Sequence, residues 1–190
     1  MEDVSERYRR LAATLTARIE GVPDDAWSNQ TPCAQWTARD LVGHVVEVHG
    51  RFQQLVGRSL VDHPPVEKDP AGAWVAARDQ MQADLDDPDR VAEEYDGRFG
   101  RSTFGASVDG FVNFDLVVHG WDLARATGQD DTIDPEDVQR VQGQVDAMGD
   151  VMRENGVIAA PVDPAPDASP QDRLMNSLGR STRDAGQPRS

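Results

Sequence analysis

Three side chains have the types and positions to hold a metal ion: His44, Asp115 and His119. The chain carries only four histidines, and these two sit in strongly patterned, apolar-faced segments. One reads WTARDLVGHVVEVHGRFQQLV over residues 36–56 and the other SVDGFVNFDLVVHGWDLARATG over residues 107–128. Both patterns predict helices. Asp115 and His119 are spaced i, i+4, so their Cβ atoms leave one helix face about 5–6 Å apart. If that face meets His44 inside a bundle, two imidazoles and a carboxylate converge, the ligand set of a catalytic divalent metal with an open coordination position.

Each residue has a plainer reading as well. A histidine on an apolar helix face is more often packed core than ligand, so His44 alone decides little. Asp115 shifts the balance. Aspartate is a poor helix-interior residue, and a carboxylate among apolar neighbours is costly unless it is paired or coordinates a metal. A salt bridge from Asp115 to Arg125 or Arg101 is the alternative. Zinc suits two nitrogens and one oxygen best, and nickel, iron and manganese fit the same ligand types. Asp122, three residues past His119, and Glu47, three past His44, stand where they could steady the imidazoles. His49 lies about 140° from His44, because five residues advance roughly 500° around a helix, so the two cannot serve the same ion.

Helices must position these groups. The first is predicted over residues 4–19, where Val4, Tyr8, Leu11, Leu15 and Ile19 recur at three- and four-residue steps. Gly21 and Pro23 stop it. A loop carrying Trp27, Pro32, Cys33 and Trp36 follows. Thr37 is a good N-cap for the second helix, with Asp40 as an acidic relative of the capping box. Residues 57–70 read as a proline-containing connection, and a third helix covers 71–85. The stretch 86–104 is ambiguous: DDPDR is a turn or a helix start, and EEYDGRFGRST is either two short strands or a loop. A fourth long helix is expected over 107–126, with Gly128 as its stop. A fifth begins at Asp134-Pro135 and runs to about residue 155. The Pro-, Asp- and Ser-rich remainder reads as an extended strap, with one helical turn in 170–178 and disorder after Arg180. These expectations divide the chain into a helical bundle over 1–160 and a strap and tail over 161–190.

Composition narrows the partners. A formal net charge of −15 repels nucleic-acid phosphates and anionic membranes, and no basic patch offsets it. No apolar run is long enough to span a bilayer, and MEDVSERYRR lacks the pattern of a secretory signal. The single cysteine, Cys33, rules out an internal disulfide and fits a reducing cytoplasm. With no activating group beside it in sequence, Cys33 reads as a small packed side chain. There is no phosphate-binding glycine loop and no nucleophile elbow.

The pieces WSNQTPCAQWTARDLVGHVVEV, DLVVHGWDLARATG and DASPQDRLMNSLGR resemble actinobacterial proteins of the DinB-like superfamily. They are most similar to those related to the N-terminal domain of mycothiol-dependent maleylpyruvate isomerase. The resemblance implies an all-α fold: a DinB-like four-helix bundle with an additional helix and an extended C-terminal tail. It also implies a metal at one end of the bundle, held by His44 from the second helix and by Asp115 and His119 from a later one. The characterised isomerase has glutamate where this chain has Asp115. The implied activity is that of a metal-dependent, mycothiol-dependent enzyme, a thiol S-transferase or isomerase acting on a small electrophile. Mycothiol would be its cosubstrate, and Arg125 or Arg101 would orient a substrate carboxylate. The other reading is a non-catalytic metal-binding or stress-related bundle protein. Either is compatible with a homodimer, and neither calls for a nucleic-acid or membrane partner.

Overall fold

A computed structural model describes residues 2–97 and 100–182. The chain divides into two compact units, residues 1–131 and 132–190. In the first unit, helices α1 (Val4–Glu20), α2 (Ala38–Leu55), α3 (Pro70–Leu85) and α6 (Asn113–Thr127) form a four-helix bundle. α1 packs on α3 and α6, and α2 does the same from the other side. Between α3 and α6 lie a short α4 (Pro88–Val91), a hairpin of β1 (Glu94–Gly97) and β2 (Gly100–Thr103), and α5 (Phe104–Ser107). The strands are antiparallel, with Glu94 opposite Thr103. The ambiguous stretch is therefore helix and hairpin rather than loop. No helix among the described residues is long and apolar enough to cross a membrane.

Each helix start has a local cause. The Thr37 hydroxyl accepts the Asp40 amide, and the Asp40 carboxylate accepts the Thr37 amide, a complete capping box for α2. Asp69 caps α3, with Pro70 in its first turn. The bundle buries Leu11 and Leu15 of α1, Leu41 and Val45 of α2, Trp74 and Met81 of α3, and Leu116 and Trp121 of α6. Burial of such side chains stabilises by roughly 1.5–3 kcal/mol each.

The expected single helix over 107–126 is interrupted. Residues Val108–Val112 form a π-helical turn between α5 and α6, in which the Asn113 amide reaches back to the Val108 carbonyl. Such a turn holds one residue more than an α-turn and shifts the faces on either side of it. Asp109 stands within it, accepting hydrogen bonds from Arg7 at 2.5 Å and from the Asn113 amide group at 3.1 Å. Gly110 weakens the α-helical preference there. At the far end, Gly128 adopts φ 69° and closes α6, a left-handed cap that glycine takes without strain.

The second unit contains α7 (Pro135–Glu154), capped by Asp134, and α8 (Pro170–Ser177), capped by Ser169 with Asp172. The division expected at residue 160 falls between these helices. The 170–178 segment is two turns rather than one, and α8 packs on α7. The disorder expected after Arg180 concerns residues that lie mostly outside the described ones.

His49 is fully buried, on a different side of α2 from His44. Its Nδ1–H donates to the Val45 carbonyl at 2.7 Å, and the Tyr8 hydroxyl donates to its Nε2 at 2.9 Å. Burial lowers its pKa from 6.5 to about 4. Below pH 6.5 the unfolded chain therefore binds a proton that the fold refuses. Stability should fall between pH 6.5 and 4 by about 3 kcal/mol from this group. Urea titrations of wild type and His49→Phe across that window test it; equal acid sensitivity of the two would refute the assignment.

Candidate metal centre

The site is built where α2 meets α6. Nearly two turns into α2, His44 stands half-buried where that helix packs on α6. On α6, Asp115 is half-buried and His119 buried. His44 Nε2 lies 3.9 Å from Asp115 Oδ2, and His119 Nε2 lies 3.9 Å from Asp115 Oδ1. Candidate ligand atoms of all three fall within 4.8 Å of one another. Two ligands about 2.1 Å from a tetrahedral zinc stand roughly 3.4 Å apart, so small side-chain movements bring these donors to bonding distance.

The loop before α2 closes the site, and its TPCAQWT sequence has a local reason. The Thr31 amide donates to the Trp36 carbonyl at 3.0 Å, and the Trp36 amide to the Cys33 carbonyl at 2.9 Å. The Thr31 hydroxyl accepts the Cys33 amide, and the Asn29 side chain donates to the Ala126 carbonyl of α6. This tight turn aims Trp36 and Cys33 at the histidines. The Trp36 ring lies on that of His44, centroids 4.2 Å apart, and meets the His119 ring at 5.6 Å. Cys33 Sγ donates to Asp122 Oδ2 at 3.3 Å. Asp122 is completely buried and accepts from His119 Nδ1 at 3.0 Å. The expected placement of Asp122 beside His119 holds, but reading Cys33 from sequence as packing missed the link from its thiol to Asp122. Its only signal was the tight T-P-C-x-x-W spacing.

The electrostatics separate the two histidines. Burial, then the nearby His119 charge, lowers the His44 pKa to about 4, so it is neutral near pH 7. Burial opposes a charge on His119 too. There, hydrogen bonds to Asp122 and Cys33 and the charges of Asp115 and Asp122 outweigh it and push the pKa up to about 10. Two carboxylates thus face a single imidazolium, a place where an added cation is favoured.

The other residues singled out from sequence lie elsewhere. Arg125 pairs with Asp131 at 3.2 Å and sits over the Trp121 ring. It is six residues beyond His119, about 240° around the helix, and the structure does not bring it to the cluster. Arg101 pairs with Glu94 across the hairpin, so neither arginine is the partner of Asp115 that the salt-bridge alternative required. Glu47 is exposed and pairs with Arg51.

A helical bundle whose metal-ligand types converge from two facing helices defines a class of protein. Residues 8–124 match the mycothiol maleylpyruvate isomerase N-terminal domain, and the chain belongs to that family. Two uncharacterized proteins of Mycobacterium tuberculosis are similar to it along nearly their whole length: Rv0738 of strain ATCC 25618 / H37Rv and MT0763 of strain CDC 1551 / Oshkosh. Each is 33% identical over 190 residues, covering 93% of this chain and 97% of the relative. No solved structure gives a significant match.

Proposed function

We propose that His44, Asp115 and His119 hold a divalent metal, zinc before nickel, and that the protein uses it with a low-molecular-weight thiol, mycothiol in first place. The reaction is transfer of the thiol to a small electrophile, or an isomerisation that begins with such an addition. The observation that carries this reading is the convergence of the three donors beneath Trp36 in a chain of this family.

The residues fit the group by their chemistry. Neutral His44 offers Nε2 without losing a proton. With Nδ1 donating to Asp122, His119 turns Nε2 toward Asp115, the pairing of imidazole and buried carboxylate that orients metal ligands. A metal ion bound there would act as a Lewis acid that lowers the pKa of a thiol brought to its open position. The chain's own contribution is then positional. Trp36 covers the two imidazoles and limits water, while the half-exposed side of His44 and Asp115 leaves an approach for small molecules. The protein supplies no nucleophile of its own in this scheme.

Protein purified without a histidine tag should carry a divalent metal, and adding mycothiol should give conjugation of a bimane or a chloronitrobenzene. Glutathione should support much less. Absence of thiol-dependent turnover with several electrophiles, in protein shown to hold metal, would leave a metal-binding bundle without catalysis. Metal retained by both His44→Ala and His119→Ala would end the site itself.

A further inference from the structure

We propose that Cys33, Asp122 and the Nδ1 atom of His119 form a second cation position, selective for soft divalent ions such as cadmium. It lies on the other side of the His119 ring from His44 and Asp115, so one imidazole serves both positions. This goes beyond the proposed function, which leaves Cys33 without a part.

The three groups are already assembled. Asp122 Oδ2 gathers the Cys33 thiol at 3.3 Å and His119 Nδ1 at 3.0 Å, and ligand atoms of the three residues lie within 4.8 Å of one another. Those separations are close to the roughly 3.4–3.6 Å expected between sulfur, nitrogen and oxygen ligands around a tetrahedral ion. What holds the groups together now is two protons shared with a single carboxylate oxygen, and a cation would replace them. Asp122 is fully buried and His119 nearly so, while Cys33 is half-buried and provides the route in. The thiolate makes the set softer than two histidines and an aspartate, and so prefers thiophilic ions.

The proton balance makes the two positions exclusive. Binding forms bonds from the ion to Sγ, Nδ1 and a carboxylate oxygen, while the thiol proton and the Nδ1 proton leave to solvent. Nε2 then keeps its proton, facing Asp115, and cannot ligate an ion beside His44. Conversely, an ion on Nε2 fixes the proton on Nδ1, where it donates to Asp122. His119 therefore acts as a selector between a hard-sided and a soft-sided position.

Cadmium titration of the full-length, untagged protein, followed by the ultraviolet thiolate-to-cadmium charge-transfer band, tests this directly. Wild type and His44→Ala should both develop the band, saturating at one equivalent. Cys33→Ser and His119→Ala should not, and Cys33→Ser should still bind zinc through the other three residues. In protein labelled with 15N-histidine, cadmium should move the Nδ1 resonance of His119 into the ligated range and leave Nε2 protonated. Thermal melting followed by circular dichroism establishes that each variant is folded, with Cys33→Ala as a second substitution. No band in folded wild type, or a band unchanged in His119→Ala, overturns the proposal. Zinc binding at His44 and Asp115 is read separately, so either site can fail without the other.

Discussion

Replacing His119 by alanine is expected to remove metal binding and to weaken the metal-free fold as well. Asp122 has no exposed surface, and its carboxylate is held by His119 and Cys33. Removing the cationic partner of a buried charge typically costs about 3–5 kcal/mol. For a chain of this size that is a fall in melting temperature of roughly 10 °C, read by calorimetry in the presence of a chelator. The double variant His119→Ala/Asp122→Ala should recover part of the loss, since no stranded carboxylate remains. Zinc affinity should fall at least about a hundredfold, taking each ligand as roughly a quarter of a site's binding energy. Asp122→Asn, which leaves the ligands in place, should cost about 10–100-fold. Equal melting temperatures for wild type and His119→Ala without metal would show that the Asp122 pairing contributes little.

The affinity for zinc should also rise steeply with pH, by about tenfold for each unit between pH 6 and 8. The reason is the proton on His119. Its folded pKa of about 10 lies above the ordinary 6.5, so throughout that range a metal must displace a proton to reach Nε2. His44, at about 4, has none to lose and adds no slope. The same shift has the opposite sign for the metal-free fold. The stabilisation from protonated His119 is fully present below pH 6.5 and is lost as the pH rises through about 10. Alkaline conditions should therefore weaken the metal-free protein while favouring the metal-loaded one. Chelator competition at three pH values, with calorimetry in two buffers of different ionisation enthalpy, measures both the slope and the proton released. A flat affinity profile would mean that His119 is already neutral, or that it is not a ligand.

Much of the bundle was legible because short-range chemistry specifies it. The apolar period of residues 4–19, the Thr37 and Asp134 caps and the Gly128 stop each act within a turn or two, and each is where the pattern put it. The π turn at Val108–Val112 was not legible. Its apolar pattern passes for that of a continuous helix, and the Asp109 interactions with Arg7 come from a helix about a hundred residues away. The hairpin was half-legible for the opposite reason, since among the described residues its two four-residue strands pair only with each other and carry no strong alternation.

For the site, sequence alone determined the types of the candidate residues and one spacing. Asp115 and His119 share a face because helical geometry puts residues four apart on the same side. Cys33, Trp36 and Asp122 could be assigned no more than packing or second-rank parts. Tertiary structure decided which helix His44 would meet, and that the loop before α2 would turn its cysteine and tryptophan inward. It also placed Arg125 on Asp131 and away from the cluster. Those outcomes depend on which faces of α2 and α6 exclude water together, and on hydrogen bonds between residues as far apart as Cys33 and Asp122. No local pattern encodes that choice, because it is made by packing across the bundle and not along the chain.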